Sequence, residues 1–301
     1  MIQHHSFICC YDMLNLKSSA GRHGELRLAL SNRNNQTIVT ESYSRVPLQI
    51  MKPIYDRKSG AVCFYLLSPT GGIVQGDDYR IQINLSESAH AVLTTQAATK
   101  VYAMPKGSAR QQVDFYVGKN SVFEYLPDPT ILFQEADFEQ QVNLHVNQKG
   151  GKIVFQEIIM PGRLARGEVM AFKRYRSQLQ GYDENGIILH DSFCLEPEQH
   201  FPRSLMNTIG VLDNYPCWGT WYFLGDCSLI SPNWQHMHDV SNPLLNQEGE
   251  STGGMTLLHR NGMAIRMLAR NVQTIQSAFR NIWDWIKTEI LALKKIDLRK
   301  Y

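Results

Sequence analysis

The sequence lacks the short motifs that mark the common nucleotide-binding and hydrolytic folds. It contains no GxxxxGK[ST] phosphate loop, no GxGxxG turn after a strand, no HExxH zinc motif and no GxSxG nucleophile elbow. The glycine-rich segment at 68–78 leads into a predicted strand and not into a helix, so it offers no helix N-terminus to attract a phosphate. These absences argue against a nucleotide-dependent enzyme and against a serine or zinc hydrolase.

The chain also lacks an excess of charge of either sign. Its 301 residues include 30 basic and 28 acidic side chains, for a formal net charge of +2. A protein whose main partner is nucleic acid usually carries a clear basic excess. We therefore expect no nucleic-acid partner.

Long hydrophobic runs and paired cysteines are missing as well. No run approaches the roughly 20 apolar residues that span a bilayer, so we expect no membrane association. The N-terminal residues lack the basic start, apolar stretch and cleavage site of a secretory signal, and the six cysteines form no CxxC pair. We expect a cytoplasmic protein with reduced thiols.

Short alternating segments dominate the hydrophobic pattern that is present. Alternation over 80–85, 111–117 and 141–146 predicts half-buried strands, and the more continuous apolar run at 152–160 predicts a strand buried on both faces. Glycine-rich and asparagine-rich turns separate these segments. We predict a mainly β fold, either an antiparallel β-sandwich or a β-solenoid-like stack, with a small C-terminal helical element.

The domain organisation follows from length and composition. A chain with 43% hydrophobic residues buries a large core, and no low-complexity linker or fixed-period repeat divides it. We predict a single domain over residues 20–301, preceded by a frayed N-terminal extension at residues 1–19.

The C-terminal region carries a helical pattern. Its apolar residues recur every three or four positions, at Val272, Ile275, Phe279, Ile282, Ile286, Ile290 and Leu293. The spacing predicts an amphipathic helix that is capped by Asn271 and ends near Lys294 and Lys295, whose charge suits a helix C-terminus. Trp283 and Trp285 lie off the main stripe, so they either pack on a neighbouring element or bind another protein.

One HxH pair is a candidate for metal binding. His236 and His238 are followed directly by Asp239. On a strand, both imidazoles would lie on one face and share an ion with the carboxylate. The alternative is a surface loop without metal, and the pattern leaves the role of the pair open.

Several acids sit beside glycine, proline or apolar residues rather than in charged runs. They are Asp77, Asp78, Asp128, Glu157 and Glu168. Two acids on a β scaffold would suit a carboxylate hydrolase, with one as acid and one as nucleophile or base. The structural alternative is that Asp128 caps the turn between Pro127 and Pro129, and that Glu168 pairs with Arg163 or Arg166.

Four motifs taken in order carry a resemblance to a known family. They are SPTGGIVQGD at 68–77, LTTQAATKVY at 93–102, LPDPTILF at 126–133 and PGRLARGE at 161–168. In order and spacing they resemble the urease accessory protein family UreD, also called UreH. The resemblance extends over about residues 20–301 and adds to the reasoning from composition.

The resemblance implies a non-enzymatic role. Proteins of this family act as scaffolds that bind the helical accessory protein UreF, which recruits the GTPase UreG, and the assembly docks on apo-urease. Nickel is the cargo and passes through an internal route, with no tightly bound cofactor. The resemblance and the preference of an ion in transit for weak oxygen ligands point to Asp128, Glu157 and Glu168 as residues that contact nickel. The alternatives are the β-fold carboxylate hydrolase and an adaptor without a metal role.

The TTQAATK segment has two interpretations. On an extended strand, Thr95, Ala97 and Thr99 lie on one face, while the intervening residues lie on the other. The small residues either line the internal route or permit close packing of the sheets.

Overall fold

The computed structural model describes residues 23–147, 149–200, 212–213, 215–296 and 298. The strands, in chain order, are β1 (His23–Arg33), β2 (Gln36–Arg45), β3 (Gln49–Ile50), β4 (Ile54–Tyr55), β5 (Val62–Leu67), β6 (Asp78–Leu85), β7 (His90–Thr95), β8 (Thr99–Val101), β9 (Ala109–Val117), β10 (Val122–Tyr125), β11 (Thr130–Leu132), β12 (Asp137–Val146), β13 (Lys152–Met160), β14 (Arg174–Asp183), β15 (Gly186–Leu195), β16 (Cys217–Gly225), β17 (Ser251–Leu257) and β18 (Gly262–Ala269). The α-helices are α1 (Pro197–His200), α2 (Trp234–Leu245) and α3 (Val272–Trp285).

All four strands predicted from hydrophobic patterning are confirmed. The predicted segments fall within β6, β9 and β12, and the fourth coincides with β13. The alternating apolar residues of β6 and β9 point inward and are buried, while their neighbours are mostly exposed or half-buried. Because a strand turns successive side chains to opposite faces, this pattern fixes which face of each strand meets the core.

The strands form two sheets. Sheet A has seven strands in the order β15-β14-β12-β9-β6-β1-β2, and sheet B has eleven, with the main path β17-β18-β16-β13-β10-β7-β5-β3. From β5 to β14 the chain passes repeatedly between the sheets, so each sheet receives its strands in the same direction. The central pairs are therefore parallel, whereas the pairs near the sheet edges are antiparallel.

The predicted fold class is confirmed, since the described residues are mainly β with helices towards the C-terminus. Of the two predicted arrangements, the solenoid-like stack describes the parallel strands at the centre of both sheets. Antiparallel strands flank them at the sheet edges. The predicted domain boundary is not tested, because residues 1–22 lie outside the described residues.

The main core lies between the two sheets. Phe115 of sheet A meets Phe123 of sheet B with ring centroids 4.7 Å apart, and Tyr125 stacks on Phe155 at 5.3 Å. All four rings are buried. Burying one side chain of this size contributes about 1.5–3 kcal/mol, so this layer holds the sheets together.

Helix α3 covers the outer face of sheet B. The Asn271 side chain accepts a hydrogen bond from the Thr274 backbone N–H, which confirms the predicted cap. The α-helix ends at Trp285 and continues as a π-helical turn over Ile286–Ile290, so the predicted end near Lys294 and Lys295 is too late. The π-helical turn extends the helical segment by five residues, and this segment ends before Lys294 and Lys295.

A glycine allows α3 to approach the sheet. A Cβ atom at Gly219 in β16 would lie 2.5 Å from Cγ2 of Ile275 and 2.9 Å from the ring of Phe279. Contacts this short do not occur between ordinary side chains, so only glycine permits the observed spacing.

None of the described helices has both the length and the apolar character that a membrane span requires.

Candidate functional site

The four ordered motifs meet at one end of the two-sheet stack. The Ile73 backbone N–H donates to the Lys100 carbonyl at 2.8 Å, which joins the first motif to the second. The Phe133 N–H donates to the Val101 carbonyl at 3.0 Å, and the Gln134 N–H donates to Glu168 at 2.8 Å. These contacts link residues that are far apart in sequence into one local structure.

Asp128 is held in the interior by its neighbours in this structure. Its side chain is buried, and its backbone N–H donates to Oγ1 of Thr95 at 2.8 Å. The same hydroxyl donates to Oδ2 of Asp128 at 3.2 Å, and the Gln276 amide lies 3.4 Å from Oδ1. These contacts tie Asp128 to Thr95 of the second motif and to Gln276 of α3, and its predicted role as a cap of the turn between Pro127 and Pro129 stays a prediction.

Glu157 lies on β13 and faces sheet A. The amide of Gln140 donates to Glu157, and the same amide nitrogen lies 3.2 Å from the Tyr175 hydroxyl and 3.0 Å from Oγ of Ser177. Burial raises the pKa of Glu157 to about 7, the negative charge of Asp191 adds to the rise, and hydrogen bonds from Tyr175 and Gln140 oppose it. Glu157 therefore changes protonation state near neutral pH.

A small cavity between the sheets brings Asp128 and Glu157 together. It measures about 50 Å³, and its polar lining residues are Thr95, Thr99, Gln111, Asp128, Thr130, Gln140, Gln156 and Glu157. A water molecule needs about 10–15 Å³ by this measure, so the cavity has room for a few waters. We call it the inner cavity.

Two larger hollows adjoin the inner cavity. A pocket of about 280 Å³ beside the glycine-rich loop shares Thr95, Thr99 and Gln111 with it. A cleft of about 380 Å³ at the opposite side shares Glu157 and extends towards Asp191. The inner cavity thus shares lining residues with both larger hollows, Thr95, Thr99 and Gln111 with the pocket and Glu157 with the cleft.

The TTQAATK segment does not form one continuous strand. β7 ends at Thr95 and β8 begins at Thr99, with the intervening residues in a bend. Thr95 and Thr99 both line the inner cavity, as expected for a segment that lines an internal route, while Ala97 is exposed. The strand alternation that was predicted through all seven residues is therefore wrong in its middle.

Glu168 lies apart from the other two predicted metal ligands. It accepts hydrogen bonds from the Arg163 guanidinium and from the Gln134 backbone. Burial acts to raise the pKa of Glu168, but the hydrogen bonds from Arg163 and Gln134 outweigh this effect and lower the pKa. Glu168 lines none of the cavities described above, and its predicted pairing with Arg163 is present.

Glu124 is a functional candidate that sequence reasoning missed. It lies on β10 and points to the outer face of sheet B, where it accepts from Trp283 Nε1 at 2.5 Å and Lys287 Nζ at 3.2 Å. His90 Nε2 lies 2.9 Å from its other oxygen. The available signal was an acid within the otherwise apolar strand Val122–Tyr125.

The positive charge of Lys287 keeps Glu124 ionised. Burial alone would raise the pKa of Glu124, but the charge of Lys287 and the contacts with His90 and Trp283 lower it to about 2. Both Glu124 and Lys287 are buried, with side chains 1% and 4% exposed. The pair joins the C-terminal helical segment to sheet B.

The two tryptophans proposed for partner binding have different positions. Trp283 is buried and packs near Trp221, with ring centroids 5.8 Å apart, as well as donating to Glu124. Trp285 is half-buried and contacts the ring of His236, with centroids 5.2 Å apart. Because its ring and its N–H both contact residues of this chain, Trp283 offers no exposed surface to a partner here. The predicted partner role of Trp285 stays a prediction.

The HxH pair lies on a helix and not on a strand. His236 and His238 belong to α2, where residues two apart point in different directions. The strand geometry expected for a shared metal ion is therefore wrong. Within the described residues, no group of three or more His, Cys, Asp and Glu side chains has a geometry that could hold a metal ion.

Comparison with known proteins identifies the family. The model of the family described as UreD urease accessory protein matches residues 22–300. A protein named urease accessory protein UreD from Bacillus cereus is 28% identical over 285 residues, covering 92% of this chain and 98% of the relative. The protein of the same name from Haloarcula marismortui is 30% identical over 285 residues, covering 94% and 92%. The resemblance of the four motifs is confirmed, and the chain belongs to the UreD urease accessory protein family.

Proposed function

We propose that this chain is a urease accessory protein that acts as a non-enzymatic scaffold for nickel insertion into apo-urease. Family membership supports the accessory role. The observation that supports the proposal of an ion route is the inner cavity, which has Asp128 and Glu157 in its lining and shares lining residues with two larger hollows.

The chemistry of the inner cavity suits an ion in transit. Its polar lining consists of carboxylate, amide and hydroxyl groups, which bind a borderline divalent cation more weakly than a set of thiolates and imidazoles. A cation that must be released needs ligands that exchange. Asp128 and Glu157 are the acids through which we propose nickel passes, and Glu168 acts locally on Arg163.

The proposal includes three partners. UreF binds the chain, the GTPase UreG joins through UreF, and the assembly docks on the apo-urease subunits. Trp285 is the aromatic residue that we propose for a partner surface, because it is half-buried at the contact between α3 and α2. We propose no nucleic-acid or membrane partner.

A urease-activation assay tests the function. Apo-urease, UreF and UreG are combined with nickel in the presence or absence of this chain, and urease activity and nickel content are measured together. We expect activation to require the chain. We expect Asp128→Asn to lower the initial rate of nickel incorporation by about tenfold, because each 1.36 kcal/mol added to the barrier is a factor of ten.

A matched variant separates the route from general effects of charge. Glu41 is exposed on β2, far from the cavity lining, so Glu41→Gln removes one carboxylate charge without changing the inner cavity. Assembly is measured by pull-down for both variants. Normal assembly with normal nickel incorporation by Asp128→Asn and by Glu157→Gln would reject the route and favour an adaptor without a metal role.

A further inference from the structure

Two adjacent glutamines recur on neighbouring strands of sheet A. The sequence QQV occupies 111–113 in β9 and 140–142 in β12, and the parallel register places Gln111 beside Gln140. Because side chains alternate along a strand, the first glutamine of each pair faces the core and the second faces outward. Gln140 is 6% exposed, whereas Gln141 is exposed on the outer face of the sheet. Each strand thus carries one inner amide and one matched outer amide.

The inner glutamines belong to a polar row that crosses sheet A. Tyr79 of β6 precedes them and Ser177 of β14 follows them, and all four residues are in register. The next row on the same face is apolar and consists of Ile81, Val113, Val142 and Leu179. Burying an amide in such surroundings is costly unless it is hydrogen-bonded. The inner glutamines therefore need partners within the chain.

The polar row contributes to all three spaces described above. Tyr79 and Gln111 line the pocket beside the glycine-rich loop, and Gln111 also lines the inner cavity. Gln140 lines the inner cavity, and Ser177 lines the cleft. Glu157 of sheet B lines both the inner cavity and the cleft. Gln140 and Glu157 thus meet from opposite sheets.

The side chain of Gln140 uses both ends of its amide, which has N–H donors at one end and a carbonyl acceptor at the other. Its nitrogen donates to the carboxylate of Glu157, and it lies 3.0 Å from Oγ of Ser177 and 3.2 Å from the Tyr175 hydroxyl. Its oxygen lies 3.5 Å from the amide nitrogen of Gln111. The contacts within sheet A hold the amide in place and direct an N–H at the facing sheet.

This N–H donor fixes the direction of the Glu157 carboxylate. A glutamate side chain without such a contact would sample several rotamers. A divalent cation binds the ionised carboxylate, and a carboxylate has about four lone-pair sites. The hydrogen bond from Gln140 therefore orients Glu157 and leaves lone pairs for an ion.

We propose that Gln140 is a positioning residue that holds the carboxylate of Glu157 in the orientation in which it contacts a divalent cation in the inner cavity. The inference rests on the proposed function and adds a residue of sheet A that acts through an acid of sheet B. Gln141 occupies the next position of β12 and faces away from the cavity, so it takes no part in this contact.

The test measures the rate of nickel incorporation into apo-urease at several nickel concentrations in the complete assembly. Gln140→Met keeps the length of the side chain and removes its amide, and Gln141→Met makes the same change on the outer face. We expect Gln140→Met to raise the nickel concentration at half the maximal rate by about fivefold, because a misoriented carboxylate binds the ion more weakly. The maximal rate should stay within about twofold, as should both quantities for Gln141→Met.

Pull-down and thermal unfolding separate this effect from a loss of folded protein. A variant that only folds or assembles less well lowers the maximal rate and leaves the nickel concentration at half the maximal rate unchanged. If Gln140→Met fails to fold, Gln140→Asn replaces it, because it keeps a polar amide on a side chain too short to reach Glu157. We expect the same direction of change, by about threefold.

A double variant tests whether Gln140 acts through Glu157. Two residues that contribute to one interaction have effects that do not add. In the background of Glu157→Gln, we expect Gln140→Met to change the nickel concentration at half the maximal rate by less than about twofold. A full fivefold change in that background would overturn the inference, as would equal changes in the Gln140 and Gln141 variants.

The outcomes separate this inference from the proposed function. A normal nickel dependence of the assembled Gln140 variant, together with slow incorporation by Glu157→Gln, would overturn the positioning role and leave the route intact. Normal incorporation by Gln140→Met, Glu157→Gln and Asp128→Asn would overturn both. A raised nickel requirement that appears in Gln140→Met, is absent from Gln141→Met and is lost in the Glu157→Gln background supports the inference.

Discussion

The two faces of sheet B carry two glutamates, one buried and one half-buried, whose pKa values are shifted in opposite directions. Glu124 points outward to Lys287 and has its pKa lowered to about 2, whereas Glu157 points inward to neutral donors and has its pKa raised to about 7. They lie on the neighbouring strands β10 and β13. Burial acts in the same direction on both, so the difference comes from the partner that each carboxylate meets.

The comparison assigns different tasks to the two faces. On the outer face, the ion pair between Glu124 and Lys287 attaches the helical segment to the sheet, and Glu124 stays ionised at neutral pH. On the inner face the carboxylate exchanges a proton near neutral pH, which suits a group that meets a passing cation.

The largest expected effect is on the outer face. Glu124→Ala leaves Lys287 buried beside Asp284 without its main partner, so we expect the free energy of unfolding to fall by about 3–5 kcal/mol. Denaturant unfolding at pH 7 measures the loss. The double variant Glu124→Gln with Lys287→Met removes both charges, and we expect it to be more stable than Glu124→Ala. A loss below about 1 kcal/mol for Glu124→Ala would contradict the buried pair.

The next effect concerns the pH dependence of stability on the inner face. A pKa of about 7 in the folded state, against 4.5 for an ordinary glutamate, means that ionising Glu157 costs the folded state stability as the pH rises from 4.5 through 7. The cost is at most about 3 kcal/mol. We therefore expect Glu157→Gln to gain stability relative to the natural chain between pH 5 and pH 8, by about 1–3 kcal/mol.

Unfolding curves at several pH values check this prediction. Glu41→Gln serves as the control, because that exposed acid lies outside the cavity lining. Parallel pH profiles for Glu157→Gln and the natural chain would show that Glu157 is ionised in the folded state throughout this range.

The smallest expected effect concerns Glu168, which resembles Glu124 in pairing with a cation. Arg163 is 38% exposed, so solvent screens the pair. We expect Glu168→Gln to cost about 1 kcal/mol of stability and to leave nickel incorporation close to that of the natural chain. The urease-activation assay and thermal unfolding measure the two effects. A tenfold lower rate of nickel incorporation at normal stability would contradict this prediction and indicate that Glu168 contacts nickel in transit.

The sequence predicted the strands better than their partners. Alternating residues such as Ile81 and Ile83 specify a buried face, because side chains on a strand alternate. They do not specify which strand lies alongside, so the choice between an antiparallel sandwich and a stack stayed open. The stack depends on the chain crossing between the sheets at each turn, which local periodicity does not record.

The candidate site was predictable only in part. The proline and apolar neighbours of Asp128 and Glu157 indicated these two acids, but no local pattern connects Asp128 with Thr95, which lies 33 residues earlier. Glu124 was missed for the same reason, since Lys287 follows it by 163 residues. The helical placement of His236 was also missed, because the short segment lacks a strong start signal and contains a proline.

The long sequence separation between Glu124 and Lys287 has a consequence for biosynthesis. Glu124 leaves the ribosome 163 residues before Lys287, a delay on the order of 10–30 s at ordinary rates of synthesis. Until then, the acid is exposed on a sheet face that lacks its helical cover. A variant chain that stops before Lys287 would therefore leave Glu124 without its ion-pair partner.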